Sequence, residues 1–301
     1  MSRDANHTVR KPRQRGPYQK WGRAPFERAF DDLDRLMRMV LLSDRAIAVL
    51  PGFRKLANMI SDDNPKEDPE ARARRIESLK QEDELAHAER QSDFPTLHAF
   101  AVQSLWAILE NLVRDFAATW IIHTPETRQN PSLSKLRIKL GEYDSLSAEE
   151  RGLYLVTLLE QDMGSSFRLG INRFETLLSC INLSGTVDEA CAKAIFELQQ
   201  VRNLLAHRNG RVDRRIRTAC PWLKLKIGQK LCVSSSQFAR YHDACMRYAM
   251  ELMYRVSDAY GQQLRKLSPQ ELIAHAEELD RRDTQRQMAA EVSLHAKTRK
   301  K

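Results

Sequence analysis

The residues best suited to chemistry in this chain lie in one run, Gln200-Val-Arg-Asn-Leu-Leu-Ala-His-Arg-Asn-Gly-Arg-Val-Asp213. On a helix, Asn203 and His207 stand at i and i+4, about 40° apart on one face, while Arg202 is about 140° from His207 and reaches it only through its flexible side chain. A histidine titrates near neutrality and can take or give a proton. An arginine is permanently charged, and its planar fork can bind two oxygens of a phosphate. Asn203 is placed to orient the imidazole. Such a set can deprotonate a hydroxyl, neutralise an anionic intermediate and protonate a leaving oxygen. The competing reading makes His207 a helix-terminal side chain that satisfies the last carbonyls and the helix dipole. Arg202 is then a solvated cation.

The same run opens the most basic internal segment. Between residues 202 and 230, nine Lys or Arg face one acid, Asp213, a net charge of +8. The whole chain of 301 residues carries 49 basic and 40 acidic side chains, net +9. Residues 1–28 hold eight basic residues against two acids, and residues 281–301 hold seven against two. The body between these tails is therefore slightly acidic, which excludes a uniformly basic globule. The tails read as solubilising ends or as loose attractors of nucleic acid. Arg208, Arg211, Arg214 and Arg215 form an RNA-backbone patch if they share a face with Arg202 and His207, and a plain charged loop otherwise.

Other chemistries are poorly supported. Glu84 and His87 have i, i+3 spacing but no second ligand pair, so no metal is expected. The five cysteines, Cys180, Cys191, Cys220, Cys232 and Cys245, include no Cys-x-x-Cys and read as small buried residues. Ser234 to Ser236 caps a helix, with no nucleophile elbow around it. There is no Gly-rich phosphate loop, and no cofactor is implied. The basic start lacks an apolar run and no segment approaches 18 uninterrupted apolar residues, so a cytoplasmic protein with no membrane contact is expected.

The elements that must position these residues are helical, because apolar residues recur every three or four positions. A first amphipathic helix runs from Phe26 to about Leu50 and stops at Pro51-Gly52, with a short helix following to Ile60. A charge-rich, exposed helix or connector covers residues 69–92. A long apolar helix, residues 94–122, must cross a core, and Glu110 in its middle either pairs with Arg202 or faces solvent. Ser147-Ala-Glu-Glu150 and Thr186-Val-Asp-Glu189 are two capping boxes. The second opens the helix that carries the motif, with Ala190, Ala194, Leu198, Val201 and Leu205 on one stripe and Asn209-Gly210 as its stop. Residues 223–227 and 230–233 alternate around Gly228-Gln229 as a small β-hairpin or a pair of extended arms. A capped helix then runs to about residue 264, and Ser268-Pro269 opens a last one. The domains expected are a basic disordered tail (1–25), an N-terminal helical extension and connector (26–93), a helical bundle (94–265), and a C-terminal helix with a basic tail (266–301).

Arg202, a polar Asn203, four intervening residues in all and then His207 resemble the signature of the HEPN superfamily of helical ribonucleases and nucleotide-binding proteins. The continuation to Gly210, Val212 and Asp213 resembles the bacterial members that write it RNxxxHxxGxVD, and the similarity spans residues 94–264. The resemblance implies an all-α, HEPN-like helical bundle with a small β-hairpin after the motif helix. It also implies metal-independent endoribonuclease chemistry at a homodimer cleft, with Arg202, Asn203 and His207 as catalytic residues and Glu110 in support. It further implies RNA as partner, an antitoxin or regulatory protein as a second, and a role as a toxin or antiviral-defence effector. The alternative within the same family is a catalytically silent module that binds RNA, nucleotide or protein.

Overall fold

The computed structural model describes residues 20–61, 68–164 and 169–259, and most of both expected tails lies outside them. Helix α1 spans Lys20–Ser61, α2 Pro69–Gln91, α3 Pro95–His123, α4 Pro131–Ser134, α5 Leu140–Ser145, α6 Ala148–Met163, α7 Ile171–Ser179, α8 Glu189–Arg208, α9 Arg214–Ala219 and α10 Ser235–Ala259. Short 3-10 turns lie at Pro125–Gln129 and Pro221–Leu223. No strand occurs among the described residues, and the all-α expectation holds.

Helix α3 is the axis of the fold because its apolar residues run round most of its circumference. Leu105, Trp106, Leu109, Val113, Phe116 and Ile121 are all buried, and a helix apolar on several sides must be enclosed by others. Helices α1, α6, α7, α8 and α10 pack around it. Aromatic contacts tie these neighbours to it: Phe26 meets Phe116 at 5.1 Å between ring centroids and Trp106 meets Phe174 at 5.3 Å. At the α3–α6 crossing Gly152 is required by space. A Cβ there would lie 2.7 Å from the Ala118 carbonyl oxygen.

Local signals explain most boundaries. The expected capping box at Ser147 and Glu150 is formed in both directions. Asp68 caps α2, and α2 buries only Ala86, the exposed helix its composition predicts. Asp93 and Phe94, both with left-handed backbone, turn α2 into α3. The Asp93 carboxylate accepts hydrogen bonds from the Ser235 amide and hydroxyl, and these bonds pull it below the ordinary carboxylate range against the opposing effect of burial. The start of α10 is thereby latched to the start of α3.

Three expectations need correction. Helix α1 runs through Pro51 and Gly52 to Ser61 instead of stopping there. A proline removes only one intrahelical donor, and α1 stays continuous through it. The cap of α8 is Asp188, whose carboxylate accepts from the Cys191 amide at 3.0 Å, while the Thr186 carbonyl takes a hydrogen bond from Arg255. The hairpin's second arm pairs elsewhere. Val212 donates to the Gln229 carbonyl, Gly228 to Val212, and Leu231 to Gly210, leaving one antiparallel bridge between Arg211 and Lys230. The first arm keeps only the turn contact in which the Gln229 amide donates to the Lys226 carbonyl at 3.1 Å, while the ladder-like bonds go to the chain leaving α8. The last helix expected from Ser268 lies outside the described residues.

Candidate functional site

Helix α8 places the motif. Cys191, Ala194, Ile195, Leu198, Val201 and Leu204 are buried against α3 and α10, the larger Ile195, Leu198, Val201 and Leu204 each contributing about 1.5–3 kcal/mol on leaving water. This stripe fixes the helix's rotation, which leaves Arg202 and Asn203 half-buried and Ala206, His207 and Arg208 exposed. Asn209 and Gly210 end the helix with positive φ, 48° and 73°, and both amides return to the Leu204 carbonyl. The motif thus sits on the last turns of a well-anchored helix.

Within the motif the pairing differs from expectation. The Arg202 Nη1 donates to Asn203 Oδ1 at 3.1 Å. Asn203 therefore orients the arginine, not the imidazole. His207 has no hydrogen bond or ion pair among the described residues. Its ring is open to solvent at the helix end.

Glu110 does not meet Arg202. It pairs with Arg173 Nη2 at 2.7 Å, and the same guanidinium lies 3.6 Å from Glu160, which also binds Arg114 at 3.4 Å. The expected Glu110–Arg202 pair is replaced by a four-residue ionic cluster joining α3, α6 and α7, in which Arg173 of α7 lies opposite Glu110. Glu110 is a structural residue of that seam.

The cations downstream of His207 are exposed and largely unneutralised. Arg211, Arg214, Arg215, Arg217, Lys224, Lys226 and Lys230 are exposed and have no acidic partner among the described residues. Arg208 has only a 3.8 Å contact with Asp213. Asp213 is itself committed to capping α9, accepting from the Ile216 amide at 3.0 Å. So the one acid in the segment does not cancel its charge.

Sequence reasoning missed Glu197. It lies on the buried side of α8 with no exposed surface, and accepts hydrogen bonds from Trp222 Nε1 at 2.6 Å, Tyr241 Oη at 2.7 Å, Gln237 Nε2 at 3.2 Å and the Arg240 guanidinium. Burial alone would raise its pKa, but the bonds from Arg240, Tyr241 and Trp222 outweigh that and hold the carboxyl below its ordinary range. The signal was its register: Glu197 falls three residues after Ala194 and four before Val201, on the apolar face. The carboxylate ties α8 to α10 and to the turn after α9.

Four cysteines are buried and Cys232 is exposed, and all five are free thiols. Among the described residues no group of three or more His, Cys, Asp or Glu is close enough to hold a metal ion, and no helix is long and apolar enough to cross a membrane. A cleft of about 440 Å³ opens apart from the motif, between α1, α3 and α6, where Trp21 stacks on His123 and Arg28 pairs with Asp115. Compared with protein-family models, curated proteins and solved structures, the chain has no match.

Proposed function

We propose that the chain is a HEPN-like endoribonuclease that cleaves RNA without a metal, working as a homodimer in which each protomer contributes Arg202 and His207 to a shared cleft. The observation that supports this most is the company of His207. A solvent-open imidazole ends a rigid helix one turn beyond an arginine held by Asn203, and the surface that follows carries cations with no acidic partner. RNA offers the matching chemistry. Its 2′-hydroxyl attacks the neighbouring phosphate once a base removes the proton, the guanidinium stabilises the phosphorane, and an acid protonates the departing 5′-oxygen. One imidazole cannot be base and acid at once, so two copies related by a two-fold axis would supply both. Expression toxicity relieved by His207→Ala would extend the reading to a toxin or defence effector.

A second reading has its own support. Asn203 is bonded to Arg202, and His207 has no orienting partner, as expected of a bundle that binds RNA without turnover. One assay separates them. Purified protein incubated with total RNA should give fragments ending in 2′,3′-cyclic phosphate, His207→Ala should lose about 10²-fold or more of the rate, and DNA should survive. RNA left intact by the wild type to the level of the variant rejects the enzyme and leaves the binding module.

A further inference from the structure

We propose that Trp222 is a stacking platform for an unpaired nucleobase, so that this surface takes single-stranded RNA in preference to a duplex. The inference rests on reading the surface as an RNA site, and it does not require turnover.

Trp222 lies in the turn Pro221–Leu223 directly after α9, with 38% of its surface exposed. The way it is held sets it apart from an ordinary surface aromatic. Its Nε1 donates at 2.6 Å to Glu197, and that carboxylate is fixed in turn by Tyr241, Gln237 and Arg240. Phe196 braces the ring at 6.4 Å between centroids. An indole tied to a buried, fully bonded carboxylate has already lost its rotamer freedom, so a stacking partner pays little further ordering cost.

The surroundings suit a nucleotide. Lys193, itself exposed, carries its ammonium 4.6 Å from the ring centroid. When a base takes that face, the flexible lysine is left beside the phosphate of the same nucleotide. Lys224 and Lys226 follow in the chain and are exposed, and Arg240 on the far side of Glu197 is 45% exposed. Cations that track a backbone around a fixed aromatic ring are the arrangement that binds single strands, because every base has a face to stack. In a duplex the bases are stacked on one another and the ring gains nothing. Lys193 and Glu197 precede His207 on α8 by about 15–20 Å at 1.5 Å per residue. The platform and the imidazole are therefore separate points along one bound strand.

The test uses the full chain carrying His207→Ala, so that the probes survive. Three probes of equal phosphate number are compared: a short oligoadenylate RNA, an abasic strand of the same length, and an RNA duplex. Adding Trp222→Ala should weaken oligoadenylate binding roughly tenfold, within the range a base gains on an aromatic ring, and leave abasic and duplex binding unchanged. Trp222→Phe, which keeps a ring but loses the bond to Glu197, should retain most of the affinity. Equal losses on all three probes would mean that Trp222 only supports the fold around Glu197, and would overturn the proposal. Unchanged binding by Trp222→Ala would overturn it as well, leaving the exposed ring to a protein partner. Cleavage is read separately. Trp222-dependent binding by a wild type that never cuts removes the nuclease reading alone, and cutting with Trp222-independent binding removes the platform alone.

Discussion

Arg202 and His207 handle charge differently, and their substitutions should separate the two roles. The guanidinium is held by the Asn203 side chain at 3.1 Å, so its fork has a defined direction. Arg202→Lys keeps the charge but loses the two-pronged geometry. If the arginine stabilises a phosphorane, the lysine variant should lose most of kcat while binding uncleaved RNA nearly as well. Asn203→Ala should cost less, roughly tenfold, because it frees the guanidinium without removing it; a single-turnover assay on each variant reads both effects. Equal losses in binding and rate would make Arg202 a simple phosphate anchor. The motif residues were legible in the sequence because their types are unusual at a helix end. Their partners were not. Asn203 lies within reach of both Arg202 and His207 by spacing alone, and Glu110 found Arg173 instead of Arg202 because only the packing of α7 against α3 decides which cation lies opposite it.

Among the elements, α3 and α8 carry the fold and each depends on one residue that breaks the rule for its position. Gly152 in α6 should be a poor helix residue, and alanine would ordinarily add about 1 kcal/mol of helix stability. Here the new methyl would meet the Ala118 carbonyl at 2.7 Å, and forcing helices apart costs about 1–3 kcal/mol. The clash wins, so Gly152→Ala should lower the melting temperature, read by circular dichroism. Glu197 breaks the rule in the opposite sense, as a carboxylate on an apolar face. Glu197→Ala strands four donors, one of them on half-exposed Arg240, and should destabilise by about 2–4 kcal/mol, whereas Glu197→Gln keeps an acceptor and should cost less than half as much. Equal costs for the two would show that shape, and not hydrogen bonding, holds this seam. The helices themselves were readable, since the 3.6-residue period of α3 and the Ser147–Glu150 box are local facts. The hairpin was misassigned because alternation in residues 223–233 marks extended chain without naming its partner, and the exit from α8 at Gly210 took that place.

For the whole molecule, pH and salt report on different parts. His242 on α10 reaches the Leu33 carbonyl of α1 through Nε2 at 3.1 Å, and burial pushes its pKa below the ordinary value despite that bond and the nearby Asp243 and Asp34. The folded state thus resists a proton that the unfolded chain accepts, so stability present above about pH 6.5 is lost as the pH falls below it. Thermal melts at descending pH should show a smaller loss in His242→Gln than in the wild type; parallel curves would remove His242 as a contributor. Salt, in contrast, should act on the surface proposed for RNA. Net charge alone predicts little, because the +9 of the chain includes tails far in sequence from the motif. The cations after His207 are the ones placed beside it. A single strand that contacts Z of them should bind with a log–log salt slope of about −0.7Z. Neutralising Arg211 and Arg214 together, as Arg211→Gln and Arg214→Gln, should therefore make the slope shallower by roughly 1.4 units while leaving the Trp222-dependent preference for bases over an abasic strand intact. Removing residues 281–301 should change the slope without changing that preference. If deletion of the tail abolishes the salt dependence and the double substitution does not, the electropositive segment is a solvated loop and the strand is held by the tail, which would leave His207 without a substrate path at the end of α8.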